Sequence, residues 1–131
     1  MAVHAHPDDE TISMGGTLNT ANTVMSLGDS NTPITLVDAV TLNSGTADMT
    51  LGGTVNGAHD LSISANNKDV TLSGAVGGTN LLTGLSIDVG TGAVTAAALT
   101  TAGNVLIAGA NATLNGDVSS GASGGDVTLL I

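Results

Sequence analysis

The sequence contains no Phe, Tyr, Trp, Cys or Arg, and its only lysine is Lys68. Because aromatic side chains usually supply the largest buried areas, the core must be built from Val, Leu, Ile and Ala. The absence of cysteine by itself says nothing about the redox compartment. With eleven acidic residues and a net charge of −10, the chain lacks the basic surface that nucleic acids and anionic membranes require. We therefore expect neither as a partner.

Long apolar runs are also absent, so the sequence predicts no membrane-spanning helix. The first ten residues, MAVHAHPDDE, contain neither a basic region nor an apolar segment, and no signal peptide is visible. The chain is 41% hydrophobic and only 9% charged, a balance that argues against intrinsic disorder. Its 131 residues suit a single domain.

The chain divides into two parts, residues 1–18 and residues 19–131. The first part contains two of the three histidines. In the second, short segments alternate apolar and hydroxyl-bearing residues between Gly, Asn, Asp and Ser. Four segments share the order Asp, apolar, hydroxyl, apolar, which places both apolar side chains on one face of a strand. These segments are residues 48–51, 60–63, 69–72 and 126–129.

The strand-like segments recur at a regular interval. Alternate segments are separated by 18 to 24 residues, and a period of roughly 20 residues with two recognisable strands in each indicates a repeat architecture. The predicted partner pairs are Val40 with Leu61, Met49 with Val70, Leu61 with Leu85, Val70 with Val94, Leu85 with Val105, Val94 with Ala112, and Val105 with Val127.

A coil of about 20 residues predicts an all-β fold, a parallel β-solenoid in which each turn supplies two or three short strands and each strand pairs with its equivalent one turn later. Since neighbouring strands lie about 4.8 Å apart, about five turns would form a rod roughly 25 Å long. The Asp before each strand is expected to hydrogen-bond its own turn. Corners that need positive φ are expected at Gly52-Gly53, Gly77-Gly78 and Gly124-Gly125. The alternative fold is an antiparallel β-sandwich, which also uses short strands and Gly-rich turns.

Residues 20–131 resemble the β-strand repeats of filamentous-haemagglutinin-type adhesins and autotransporter passengers of bacteria. The resemblance is carried by DVTLSGAVGG at residues 69–78, by LSIDVGTG at residues 85–92 and by the aromatic-free composition. It implies a right-handed parallel β-helix in an extracellular or cell-surface setting, without catalytic residues. A surface adhesin segment that contacts carbohydrate is an alternative role within the same resemblance.

The N-terminal part has a different character. VHAHPDDE at residues 3–10, followed by Gly-Gly-Thr-Leu at residues 15–18, resembles the start of LmbE/PIG-L-like N-acetylglucosaminyl deacetylases. The resemblance implies a zinc-dependent amide hydrolase in which His6 and Asp9 bind Zn²⁺ and Asp8 activates the metal-bound water. The chemistry is intelligible, because an imidazole and a carboxylate can share the ion while a neighbouring carboxylate acts as general base. His4 is a further potential ligand.

A catalytic zinc site needs three protein ligands and an open position. The deacetylase family takes its third ligand, a histidine, from a later motif that has no counterpart in this sequence. His59 is the only remaining histidine, and it lies directly before a predicted strand. The sequence therefore favours a structural, non-catalytic protein with no cofactor, and the alternative is a zinc-dependent deacetylase remnant in residues 1–18. In the favoured interpretation residues 1–18 are a leader segment or the first coil of the solenoid, and residues 19–131 are the repeat domain.

The C-terminal residues continue a strand pattern into the bare apolar residues Leu129, Leu130 and Ile131. A solenoid exposes an unpaired strand edge at each end unless a cap covers it. We expect this end to stack on another copy of the chain or to continue in a longer parent protein. A contact between the two unlike ends of identical chains need not close, and it would produce a filament.

Overall fold

The computed structural model describes residues 2–3, 12–121 and 125–131. In these ranges three strips of short parallel strands surround one apolar core. The same ranges contain no helix, and so none that could cross a membrane. The strands are β1 Ala2–Val3, β2 Ile12–Asn19, β3 Met25–Leu27, β4 Ile34–Asn43, β5 Met49–Leu51, β6 Val55–Asn56, β7 Asp60–Ser64, β8 Val70–Leu72, β9 Gly84–Asp88, β10 Ala93–Ala96, β11 Leu99–Thr101, β12 Val105–Ala108, β13 Asn111–Leu114, β14 Val118–Ser120 and β15 Val127–Leu130.

Two of the strips are continuous parallel sheets. The first sheet has the strand order β1-β3-β5-β8-β10-β13, and the second has the order β2-β4-β7-β9-β12-β15. Partners in each sheet lie one coil apart in sequence, as in the pairs Met25 with Met49 and Val40 with Leu61. The chain therefore alternates between the two sheets and returns one level further along the rod, which is the path of a β-solenoid.

A third strip lies between the first and second sheets in the order of the chain. It is formed by the first halves of β2 and β4, then by β6, the single residue Val76, β11 and β14. Ile34 pairs with Val55, Val55 with Val76, and Val76 with Leu99. Most coils contribute only one to three paired residues here, so the alternation is too short to trace this strip along the whole chain from the sequence.

All seven partner pairs predicted from the sequence spacing are confirmed as parallel, in-register pairs. In the described ranges, every ladder between strands is parallel. The antiparallel bridge found there joins Asp29 to Thr32 within one turn. The alternative of an antiparallel sandwich is therefore wrong.

Aliphatic side chains at alternate strand positions fill the core. In β5, Met49 and Leu51 are buried, whereas Thr50 between them is half-buried on the outer face. Further along the rod, Ile87 and Ile107 are 0% exposed. Because full burial of one such side chain contributes about 1.5–3 kcal/mol, many stacked rungs of small residues can replace the missing aromatic residues.

The described portions of the N-terminal part are strands of the same solenoid. β2 pairs with β4 from Ile12 opposite Ile34 to Asn19 opposite Asn43, and β1 pairs with β3. The predicted boundary between residues 18 and 19 lies within β2.

One corner of the coil, between the second sheet and the first, repeats a left-handed backbone conformation. Asn22, Gly45, Asn67 and Gly90 occupy it in successive coils, with φ between +57° and +71°. Asn and Gly are the residues that adopt this region most readily. The preference explains why only these two residue types occupy the position. They alternate because the side-chain oxygens of Asn22 and Asn67 fill the space that a Cβ at Gly45 and Gly90 of the next coil would need.

The predicted glycine corners are confirmed in part. Gly77 has a φ of +74°, as expected for a corner. Gly52 does not have positive φ, and its role is a close approach between coils. A Cβ at this position would lie 2.6 Å from the carbonyl oxygen of Gly28. Gly124 lies outside the described residues.

Candidate functional site

The residues of the predicted zinc motif fall mostly outside the described ranges. His4, His6, Asp8 and Asp9 belong to residues 4–11, so their assignment as ligands or general base stays a prediction. His59 lies in the bend before β7 and is half-buried. In residues 2–3, 12–121 and 125–131, no group of three or more His, Cys, Asp or Glu side chains could hold a metal ion.

The backbone of His59 participates in the packing of the coils. Its amide donates a hydrogen bond to the carbonyl of Gly57 at 2.8 Å, and its carbonyl accepts one from the amide of Thr83 at 3.2 Å. Thr83 belongs to the following coil, so His59 occupies a position in the ladder between two turns of the rod.

Three aspartates that precede strands accept hydrogen bonds from the next coil. The Asp48 carboxylate accepts from the backbone amide of Asp69 at 3.1 Å, and the Asp69 carboxylate accepts from the amide of Ala93 at 2.9 Å. Asp60 accepts from the hydroxyl of Thr83. The prediction that these aspartates bond their own turns is wrong. At the start of a strand, the nearest free donor lies one rung away, at a spacing of about 4.8 Å between strands.

Asparagine side chains at the left-handed corner link the coils in the same way. The amide oxygen of Asn22 accepts from the backbone amide of Thr46 at 2.9 Å, and that of Asn67 accepts from Thr91 at 3.0 Å. These bonds continue the ladder where the strands stop. Much of the polar side-chain chemistry of the rod is therefore engaged in holding adjacent coils together.

Two shallow depressions lie along the sides of the rod. One, of about 380 Å³, lies over the second sheet where Gly84 separates Asp60 from Asn104. The other, of about 460 Å³, lies beside the left-handed corner. Among the described residues that line them, neither depression contains His, Lys, Arg or Cys.

The C-terminal end of the rod exposes apolar side chains that are buried elsewhere. Val127 and Leu129 occupy the next rung after Val105 and Ile107. Val105 and Ile107 are 0% exposed, whereas Val127 is 43% and Leu129 is 45% exposed. β15 is also the last strand of the second sheet, so in the described part of the chain its outer edge has no strand partner. The core is therefore open at this end.

The N-terminal end contains a depression of about 290 Å³ formed by residues of β2 together with Leu27. Ile12, Met14 and Leu18 contribute partly buried side chains to it. At Gly16, a Cβ would meet no atom of the described residues within 4 Å. The sequence predicted the exposed C-terminal end from its final strand pattern. It did not predict this depression, because part of the lining belongs to the third strip.

Comparisons of the chain with protein-family models, with curated proteins and with solved structures found no match. The resemblances to adhesin repeats and to deacetylases therefore stay predictions. The surfaces that differ most from the repeating sides of the rod are its two ends, with exposed apolar side chains at one and a depression at the other.

Proposed function

We propose that the protein is a structural, non-catalytic β-solenoid segment of extracellular bacterial type that assembles end to end into filaments. One observation carries the proposal: Leu129 is 45% exposed, although the preceding rung position, Ile107, is fully buried. Exposed apolar side chains beside an unpaired strand edge form a template for pairing with another chain. Association of the ends would remove both from water.

The proposed mechanism is mechanical. Within the rod, parallel backbone ladders and stacked aliphatic side chains join each coil to the next. A junction between two copies would extend the same ladders and bury apolar area, at about 25 cal/mol per Å². The result would be a stiff fibre built from one repeated type of contact.

Charge repulsion opposes this assembly. Each copy carries a net charge of −10, and like charges repel along neighbouring rods. Salt shortens the range of this repulsion, from a Debye length of about 30 Å at 0.01 M to about 8 Å at 0.15 M. We therefore expect filaments to form more readily as the salt concentration rises.

The extracellular setting is supported by the resemblance of residues 20–131 to bacterial surface repeats. A continuous backbone ladder also leaves few accessible segments for proteases. Labelling of intact source cells with a membrane-impermeant amine reagent, which can react at the exposed Lys68, followed by affinity capture and immunoblotting, tests the location. Labelling in intact cells supports a surface location, and labelling only after lysis contradicts it.

Sedimentation velocity and electron microscopy over a concentration series test the assembly. We expect rods one molecule wide whose length increases with protein and salt concentration. The variant Leu129→Asp should remain monomeric because it places a charge on the exposed apolar end. Ser62→Asp is the matched control, since it adds the same charge at an exposed position in the middle of the rod, away from both ends. A wild-type chain that is monomeric under every condition would contradict the proposal.

A further inference from the structure

The two ends of the rod differ in shape. At the C-terminal end, Val127 and Leu129 are exposed side chains on the final rung. At the N-terminal end, β2 borders an open depression of about 290 Å³. One end therefore offers projecting apolar groups, and the other offers an apolar cavity that can receive them.

The ladders within the chain define the register in which two copies would meet. Each coil contributes one residue to each ladder. If the ladders continue into a second copy, the residue next to Val127 would be Gly16 of that copy, and the residue next to Leu129 would be its Leu18. The second sheet follows this order through Gly16, Val40, Leu61, Leu85, Val105 and Val127.

The same extension applies to the third strip. Its rungs run from Ile12 through Ile34 and end at Val118. Val118 would therefore meet Ile12 of the second copy, and Ser120 would meet Met14.

Side-chain sizes agree with this register. Val127 would face Gly16, where a Cβ would meet no atom of the described residues within 4 Å. Conversely, the large Met14 would face the small Ser120. Close packing requires such alternation of large and small groups across an interface.

We propose that the filament is polar, with β14 and β15 of one copy docked in parallel register on β2 of the next copy. This inference rests on the proposed end-to-end assembly and specifies its partner surfaces. Such a contact joins two different surfaces, so every added copy presents the same free end again, and growth does not close.

Cysteine cross-linking tests the register, because the chain contains no cysteine of its own. The outer-face residues Thr17 and Thr128 would be neighbours across the junction. Adjacent strands are about 4.8 Å apart, within the Cα separation of about 4.4–6.8 Å that a disulfide spans. Thr17→Cys and Thr128→Cys chains are mixed, allowed to assemble and oxidised.

We expect the mixed disulfide to exceed either self-linked product by at least about tenfold, since only the mixed pair meets the distance requirement. The double variant should form a covalent ladder of multimers. Ser62→Cys, at an exposed position in the middle of the rod, replaces Thr17→Cys in the control mixture and should give no enrichment.

Other outcomes separate the two proposals. Dominant self-linking of Thr128→Cys would show tail-to-tail contact and overturn the polar arrangement. Assembly without the mixed disulfide would also overturn it, and would indicate that the depression takes another occupant, such as residues 4–11 of the same chain. Failure of the wild-type chain to assemble would instead refute the proposed function itself.

Discussion

Replacing Ile87 by Ala in the middle of the rod should cost far more stability than replacing Leu129 by Ala at its end. The two residues belong to the same inward-facing ladder, in which Ile87 pairs with Ile63 and Ile107, and Ile107 pairs with Leu129. Ile87 is 0% exposed. Because its removal leaves a cavity between two filled rungs, we expect a loss of about 2–5 kcal/mol.

Leu129 retains only part of this burial, since it is 45% exposed. Its truncation removes roughly half of the 1.5–3 kcal/mol that full burial contributes and leaves no enclosed cavity. We therefore expect a loss of about 1 kcal/mol in the monomer. Ser86→Ala, on the outer face beside Ile87, is the control and should change stability by less than about 0.5 kcal/mol.

Urea denaturation followed by circular dichroism measures these differences, at low protein and salt concentration so that chains stay monomeric. The slopes of the unfolding curves must agree among the variants, because solenoids can unfold in parts. Equal losses for the Ile87 and Leu129 variants would refute the assignment of buried and open rungs. A larger loss for Leu129 would have the same consequence.

Three further predictions concern the corners, the strand starts and the N-terminal motif. Asn67→Ala should lower the free energy of unfolding, measured by urea denaturation, by about 2 kcal/mol, because Ala is strained in the left-handed conformation and cannot accept the hydrogen bond from Thr91. Asn67→Gly loses only the hydrogen bond and should lower it by about 1 kcal/mol. Equal losses in the two variants would exclude backbone strain. Asp69→Asn keeps an oxygen that can accept the hydrogen bond from the amide of Ala93 in the next coil, and it should retain wild-type stability. Asp69→Ala removes this acceptor and should lower the free energy of unfolding by about 1 kcal/mol. Similar losses in both variants would contradict the hydrogen bond between coils. Elemental analysis should find less than one zinc per chain, because the N-terminal motif lacks a third ligand. The zinc content should be the same in the double variant His6→Ala, Asp9→Ala. One zinc per wild-type chain that is lost in the double variant would contradict this prediction.

The β-solenoid and the register of its two main sheets were predictable from the sequence because they depend on local signals. Alternation such as Met49-Thr50-Leu51 specifies which side chains face inward, and the distance from Met49 to Val70 specifies the next rung. A third strand in each turn was predicted only as a possibility and could not be placed residue by residue, because Val76, for example, is a single paired residue between turns. A single apolar residue shows no alternation from which a strand could be predicted.

Of the two ends of the rod, only the C-terminal end could be predicted from the sequence. The bare apolar residues after Asp126 indicated an open C-terminal end, and Leu129 is exposed as expected. The cavity at the other end combines residues of β2 with Leu27 of β3, and these residues come together only when the two strands pack around the core. No local pattern encodes that arrangement.

By itself, the sequence determined most strands of the two main sheets, which of their side chains face the core, and how far apart partners lie, since all three follow from spacing along one chain. Only the tertiary structure decided what lies above each residue on the neighbouring coil. It therefore decided that the Asp48 carboxylate accepts a hydrogen bond from the amide of Asp69. It also decided that apolar side chains are exposed at the C-terminal end of the rod, whereas the N-terminal end contains a depression. Contacts of this kind form between segments that meet only when the coils stack.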